Sequence, residues 1–276
     1  IIYIINSMGC GLLSLIINTG ESDKYFTGNP KITFFKTIYR QHSNFGIETV
    51  RQDFNKIPLF GTERSAKLAQ NGDLINKIYL VIELPKIKQT QPGLIGNSLY
   101  AGWINALGNH ITDYIEIRIG GKTIDTLYPQ WLDIYSSLFI TTDKQKSYNY
   151  LTLTSETDVS HQENGKTKQV LMLPLLFWFF NPGSALPLLA LNYHQVTIHL
   201  KFNQIKNLIK SDEVLNNPID EDGNPLEIID AYLNVDYIFL DKEERTKLIK
   251  NPHEYLIEQT QFTGKKTIPP NTNVFD

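Results

Sequence analysis

The feature that most constrains this chain is a hydrophobic period of two, because alternate side chains on opposite faces suit half-buried strands and not amphipathic helices. In Tyr114-Ile115-Glu116-Ile117-Arg118-Ile119 the isoleucines fall on one side, Glu116 and Arg118 on the other. Gly120-Gly121 follows, two residues that accept positive φ, and Lys122-Thr123-Ile124 resumes the extended pattern, which predicts a tight hairpin. Ile78, Leu80, Ile82 and Leu84 alternate with Tyr79, Val81 and Glu83. Both sides of that segment are partly apolar, as expected of a strand between two packed layers or under a long loop. Val196 to Phe202, Leu233 to Phe239 and the segment from Phe45 to Phe54 repeat the alternation. Such strands, joined by unequal loops and with no serial strand-helix-strand pattern, predict an antiparallel sandwich or barrel.

Two short helices are expected. Pro129 suits a first helical position, and Trp131, Ile134, Tyr135 and Leu138 are spaced to form one apolar face. Asp241 is placed to cap the amide of Glu244 in a capping box, Glu243 and Lys247 are spaced to pair, and Asn251-Pro252 stops the helix. Thr141 to Lys168 and Asn203 to Pro225 are polar and are read as long exposed loops, the second acidic around Asp220-Glu221-Asp222. The apolar stretch Leu171 to Leu191 is broken by Pro174, Asn181-Pro182-Gly183 and Pro187, so buried loops and turns are expected rather than a lipid-spanning helix.

Composition narrows the functional classes. With 26 basic and 29 acidic residues and no basic block, the chain lacks a phosphate-binding stripe, and no direct nucleic-acid partner is expected. Its one cysteine, Cys10, allows neither an intrachain disulfide nor a cysteine-based zinc site, and points to maturation in a reducing compartment. No Asn stands two places before Ser or Thr, so the usual N-glycosylation acceptor is missing.

Motifs for catalysis fail on spacing. Gly121-Lys122-Thr123 and Gly165-Lys166-Thr167 lack the leading glycine of a phosphate loop and are read as a hairpin turn and a solvated loop. His194 and His199, five apart near a strand, fall on opposite faces, and none of the six histidines belongs to an HExxH pattern. Ser184 lacks the nucleophile-elbow glycines, and Pro225 occupies the position where a calcium loop beginning at Asp220 requires glycine. No enzyme activity, cofactor or metal is expected.

One set of residues says more. Phe26-Thr27-Gly28-Asn29-Pro30-Lys31-Ile32-Thr33-Phe34-Phe35-Lys36 and Tyr39-Arg40-Gln41-His42-Ser43-Asn44-Phe45 resemble the N-terminal signature of major capsid proteins of nucleocytoplasmic large DNA viruses. Asn71-Gly72-Asp73-Leu74-Ile75, Trp103-Ile104-Asn105, Ile117-Arg118-Ile119-Gly120-Gly121, Leu173-Pro174-Leu175, Phe177-Trp178-Phe179, Ala185-Leu186-Pro187-Leu188 and Asn251-Pro252-His253-Glu254-Tyr255-Leu256-Ile257-Glu258-Gln259 extend the resemblance. It runs from about Gly9 to Gly264, nearly the whole chain.

The resemblance implies an all-β structural protein: an antiparallel eight-stranded jelly-roll sandwich with short helices and long loops, plus the beginning of a link to a second jelly roll. It further implies an icosahedral shell in which three double-barrel copies form a pseudo-hexagonal capsomer. Implied partners are copies of itself, neighbouring capsomers, minor capsid proteins and, indirectly, an internal virion membrane, with synthesis and assembly in the host cytoplasm. The expected organisation is an N-terminal arm over 1–25, a first jelly roll over 26–254, and a linker with the start of a truncated second jelly roll over 255–276. Met8 matches the family's usual start. Phe34, Phe35, Tyr39, Arg40, His42, Trp178 and Tyr255 are the candidate assembly contacts. Leu256, Ile257 and Phe262 are expected to have almost nothing beyond them to pack against. A single-barrel minor capsid component and a carbohydrate-binding or enzymatic jelly roll are the alternative readings.

Overall fold

The computed structural model describes residues 44–89, 101–154, 164–180, 182–191, 193–211, 218–251 and 257–264. Contacts divide the chain into units 1–44 and 45–276, and all of these residues but Asn44 belong to the second. Eight principal strands follow in chain order: β1 (Phe45–Asp53), β2 (Glu63–Lys67), β3 (Leu74–Leu84), β4 (Thr112–Ile119), β5 (Lys122–Leu127), β6 (Gln169–Pro174), β7 (Val196–Phe202) and β8 (Asp230–Leu240). One sheet runs β1-β8-β3-β6 and the other β2-β7-β4-β5, with every pairing antiparallel. The pairs are nested: first with last, second with seventh, third with sixth, fourth with fifth. The domain is therefore one long hairpin folded over on itself, and rolling it adds the β8-β3 and β4-β7 pairs that complete each sheet. This is jelly-roll order.

Register explains why the alternation was so clear. Leu80 stands opposite Leu233 on one side and Leu173 on the other, and Ile82 opposite Ala231 and Leu171. In the second sheet Ile117 faces Ile198, and Ile115 lies between Leu200 and Leu127. These rows are fully buried and meet in one core, which uses the inner face of each sheet, as in other sandwiches. The outer face of β3 is covered as well: Tyr79 meets Phe180 edge-on, their ring centres 6.1 Å apart.

The hairpin apex has the predicted form. Ile119 pairs with Lys122, and Gly120 and Gly121 both have positive φ, +59° and +83°. That is a two-residue turn whose twist matches the strands it joins. The stretch after Leu171 forms the expected turns, the 3₁₀ segments Trp178–Phe180, Pro182–Ser184 and Leu188–Leu191, but it also supplies two strands where loops are expected, β6 and the short Leu186–Pro187 against β3. Among the described residues no helix is long and apolar enough to cross a membrane.

The helices depart from expectation in three ways. After the four-residue α1 (Leu107–His110), α2 (Pro129–Leu138) starts at the predicted proline. Its buried side chains are Pro129 and Leu132, however, while Ile134 and Leu138 face outward and Trp131 and Tyr135 are half-buried. The polar stretch read as a loop contains α3 (Thr142–Thr152), which buries Tyr148 and Thr152. At α4 (Lys242–Lys250) the Asp241 carboxylate accepts from Lys242 N at 2.7 Å, not from Glu244, and Glu244 rather than Glu243 approaches Lys247, at 3.5 Å. Gly165 is likewise no solvated loop residue: a Cβ there would come within 2.5 Å of the Ala101 carbonyl, so close backbone approach requires glycine.

Candidate functional site

Two of the resembling motifs meet where β3 begins and β8 ends. Leu74 and Ile75 pair with Pro187 and Leu186, joining two segments that are distant in sequence. The buried Asp73 fastens the corner. Its carboxylate accepts from Leu240 N at 2.8 Å and meets Arg245 Nε of α4 at 3.2 Å, while its backbone N–H donates to Ile238 O at 2.9 Å. Gly72 is required by proximity, since a Cβ would lie 2.8 Å from Cβ of Tyr237. Tyr237 donates its hydroxyl proton to Ala69 O at 2.7 Å, and burial pushes its phenol up to about 12. The chemistry of this corner is structural: polar groups satisfied by backbone, with no group poised to react.

A second polar network ties α1, α2 and α3 together. Tyr148 of α3 donates to Asn109 Oδ1 of α1 at 2.8 Å, Asn109 Nδ2 donates to Asp133 of α2 at 2.9 Å, and His110 Nε2 lies 3.1 Å from the other Asp133 oxygen. Gly108 packs so tightly that a Cβ would sit 2.8 Å from Thr152 Cα. Burial raises the Asp133 carboxyl, but hydrogen bonds from His110 and Asn109 together outweigh it and hold the group below its ordinary value. The sign follows from linkage: the unfolded chain binds the proton more readily, so Asp133 contributes stability above about pH 4 that is lost as pH falls through its depressed value. Thermal melts between pH 7 and pH 2 are expected to show a smaller acid-induced loss in Asp133→Asn than in the unsubstituted chain. An equal loss in both would show that the carboxylate contributes nothing.

Of the sequence-predicted contact residues, Phe34, Phe35, Tyr39, Arg40, His42 and Tyr255 lie outside the described residues. Trp178 is 6% exposed and stands edge-on to Phe179, ring centres 5.1 Å apart, with its backbone carbonyl accepting from Ser184 at 2.7 Å. It lines a cavity of about 240 Å³ together with Asp125, Trp131, Tyr135 and residues 258–260. Sequence reasoning did not find the exposed apolar surface. Phe139 at 59% and Leu138 at 72% project from the end of α2, beside a groove of about 350 Å³ floored by Tyr79, Leu176 and Phe180. Phe45 at 65% and Ile47 at 56% project from the edge strand β1. The only advance signal is the spacing of Ile134 and Leu138, which reads as part of one apolar helix face.

Among the described residues the histidines do not gather. His194 sits against the hairpin apex, while His199 lies within 3.1 Å of Thr197 on the outer face of β7, its imidazole pushed down by burial and by Arg118. The acidic turn is closed by its own backbone, Asp220 N to Asn224 O at 2.9 Å, and Glu221 reaches Lys86 at 3.4 Å. Among the described residues no three His, Cys, Asp or Glu side chains converge to hold a metal ion.

Comparison with known proteins gives this architecture its context. The family described as the major capsid protein N-terminus matches residues 33–241. The major capsid protein of Phaeocystis pouchetii virus is 36% identical over an alignment covering 96% of this chain and 55% of that protein. Capsid protein 1 of Acanthamoeba polyphaga mimivirus is 38% identical, covering 94% and 45%. Among solved structures, a quasi-atomic model of the PBCV-1 virus capsid superposes with a TM-score of 0.67 at 33% identity, over 87% of this chain and 53% of that one. The chain thus spans about half the length of the curated relatives it matches. A family match covering the whole β1-to-β8 domain, and a shared fold at substantial identity, establish that this chain belongs to the major capsid protein family, whose N-terminal domain it carries.

Proposed function

We propose that the chain supplies the N-terminal jelly roll of an icosahedral capsid subunit, and that three subunits of full relative length surround one axis as a pseudo-hexagonal capsomer. The observation that carries this reading is the family match over 33–241, which begins ahead of β1 and ends just past β8. The working partners are other copies of the chain, then neighbouring capsomers and minor capsid proteins, and indirectly an internal virion membrane, in a shell assembled in the host cytoplasm. Phe34, Phe35, Tyr39, Arg40, His42 and Tyr255 are assigned to contacts between barrels. Trp178 is assigned to the same contacts through the aromatic run it belongs to, its own ring being buried and edge-on to Phe179.

A ring built from two barrels per subunit closes only when both are present. One barrel makes a fraction of the contacts, too few to offset the entropy of association. Sedimentation equilibrium is expected to find the 276-residue chain mainly monomeric at micromolar concentration, and a protein of full relative length carrying it as a stable trimer. A tight trimer of the 276-residue chain would favour a single-barrel capsid component instead.

A further inference from the structure

Asp125 is in the wrong place for a carboxylate. It stands opposite Ile117 on the inward face of β5, between core residues, and is 6% exposed. An apolar side chain there would bury without the cost of desolvating a charge. Burial holds the Asp125 carboxyl above its ordinary value, and two backbone amides offset this only in part. One is its neighbour Thr126, at 2.9 Å, and the other is Thr260, from a segment that lies far along the chain.

The same segment is held at two more points. The register of β5 passes from Asp125 opposite Ile117 to Thr123 opposite Arg118, so Ile124 is the extra residue of a bulge without a cross-strand partner. Its carbonyl accepts from the Gln259 side chain. Phe262 lies on Tyr128, ring centres 4.7 Å apart, which corrects the expectation that this ring has little to pack against. Three contacts of different kinds therefore fix residues 259–262 along the outer edge of β5, and Gly264 follows in a left-handed conformation, φ +86°.

We propose that residues 258–262 form an intramolecular strap that closes the free edge of β5, with Asp125 as its anchor, so that the chain leaves the jelly roll from one fixed position. Two consequences follow. An edge strand with unpaired backbone groups is a template for unwanted pairing, and the strap covers it at the bulge where it is weakest. The strap also ties the direction of whatever follows Gly264 to the frame of the first barrel. All its contacts lie within one chain, so it stands or falls separately from the proposal of trimeric assembly.

Amide exchange at Thr260, measured on the 276-residue chain, tests this. Asp125→Leu fills the inward position with an apolar side chain and removes the acceptor. Exchange at Thr260 is expected to rise at least about tenfold while amides of β3 and β8 keep their protection, a separation that a general loss of structure would not produce. Gln259→Ala combined with Phe262→Ala leaves the buried position untouched and is expected to release the same amide to a similar degree. It decides the matter alone if Asp125→Leu does not fold. Unchanged Thr260 protection in the variant that decides, or no protection in the unsubstituted chain, would overturn the proposal.

Discussion

Tyr237→Ala is expected to lower unfolding free energy by about 3–5 kcal/mol, the range for truncating a large buried aromatic. Tyr237 is fully buried, stands opposite Ile75 beside a bulge in the β8-β3 pairing, and packs against the backbone of Gly72. Little nearby can collapse into the space, because β3 and β8 form the centre of their sheet. Tyr237→Phe keeps the ring and removes only the bond to Ala69 O, so about 1 kcal/mol is expected. Chemical denaturation of the three proteins would measure both steps. Equal losses in the two variants would assign the effect to the hydroxyl and contradict the packing account.

Replacing Gly120 and Gly121 together with valine is expected to be nearly as damaging. Both positions have positive φ, which costs a β-branched residue roughly 1–3 kcal/mol each. At Gly120 the new Cβ would also lie 2.8 Å from Nδ1 of His194. The turn is the apex of four nested strand pairs and closes the shortest loop among them, so the β4-β5 pair is the one whose register forms at least entropic cost. Loss is therefore expected in the folding rate as well as in thermal stability. An unchanged melting temperature would place the chain reversal elsewhere.

These two residues mark what the sequence made legible. Inward rows such as Leu80, Leu233 and Leu173 alternate strictly because one face of each strand is buried and the other is not. Gly120-Gly121 could be read because its backbone demands glycine. Helix α3 could not, because it buries only Tyr148 and Thr152 and is held by a polar network whose other members lie on α1 and α2. Ile134 and Leu138 have core-like spacing, but α2 is seated through Leu132, and no periodicity within one helix reveals which stripe a sheet will take. Asp125 was hidden by the bulge at Ile124, which lets two consecutive residues of β5 contact the interior and defeats a reading by twos. An exposed apolar surface such as Leu138 and Phe139 looks in sequence like any other part of a core.

The most direct test of the capsid reading is electron microscopy of a protein of full relative length that carries this chain at its N-terminus. The account predicts a three-fold particle with a six-lobed outline, in which three alternate lobes fit the two sheets β1-β8-β3-β6 and β2-β7-β4-β5. A particle with any other symmetry, or one whose lobes do not accept this jelly roll, would contradict it.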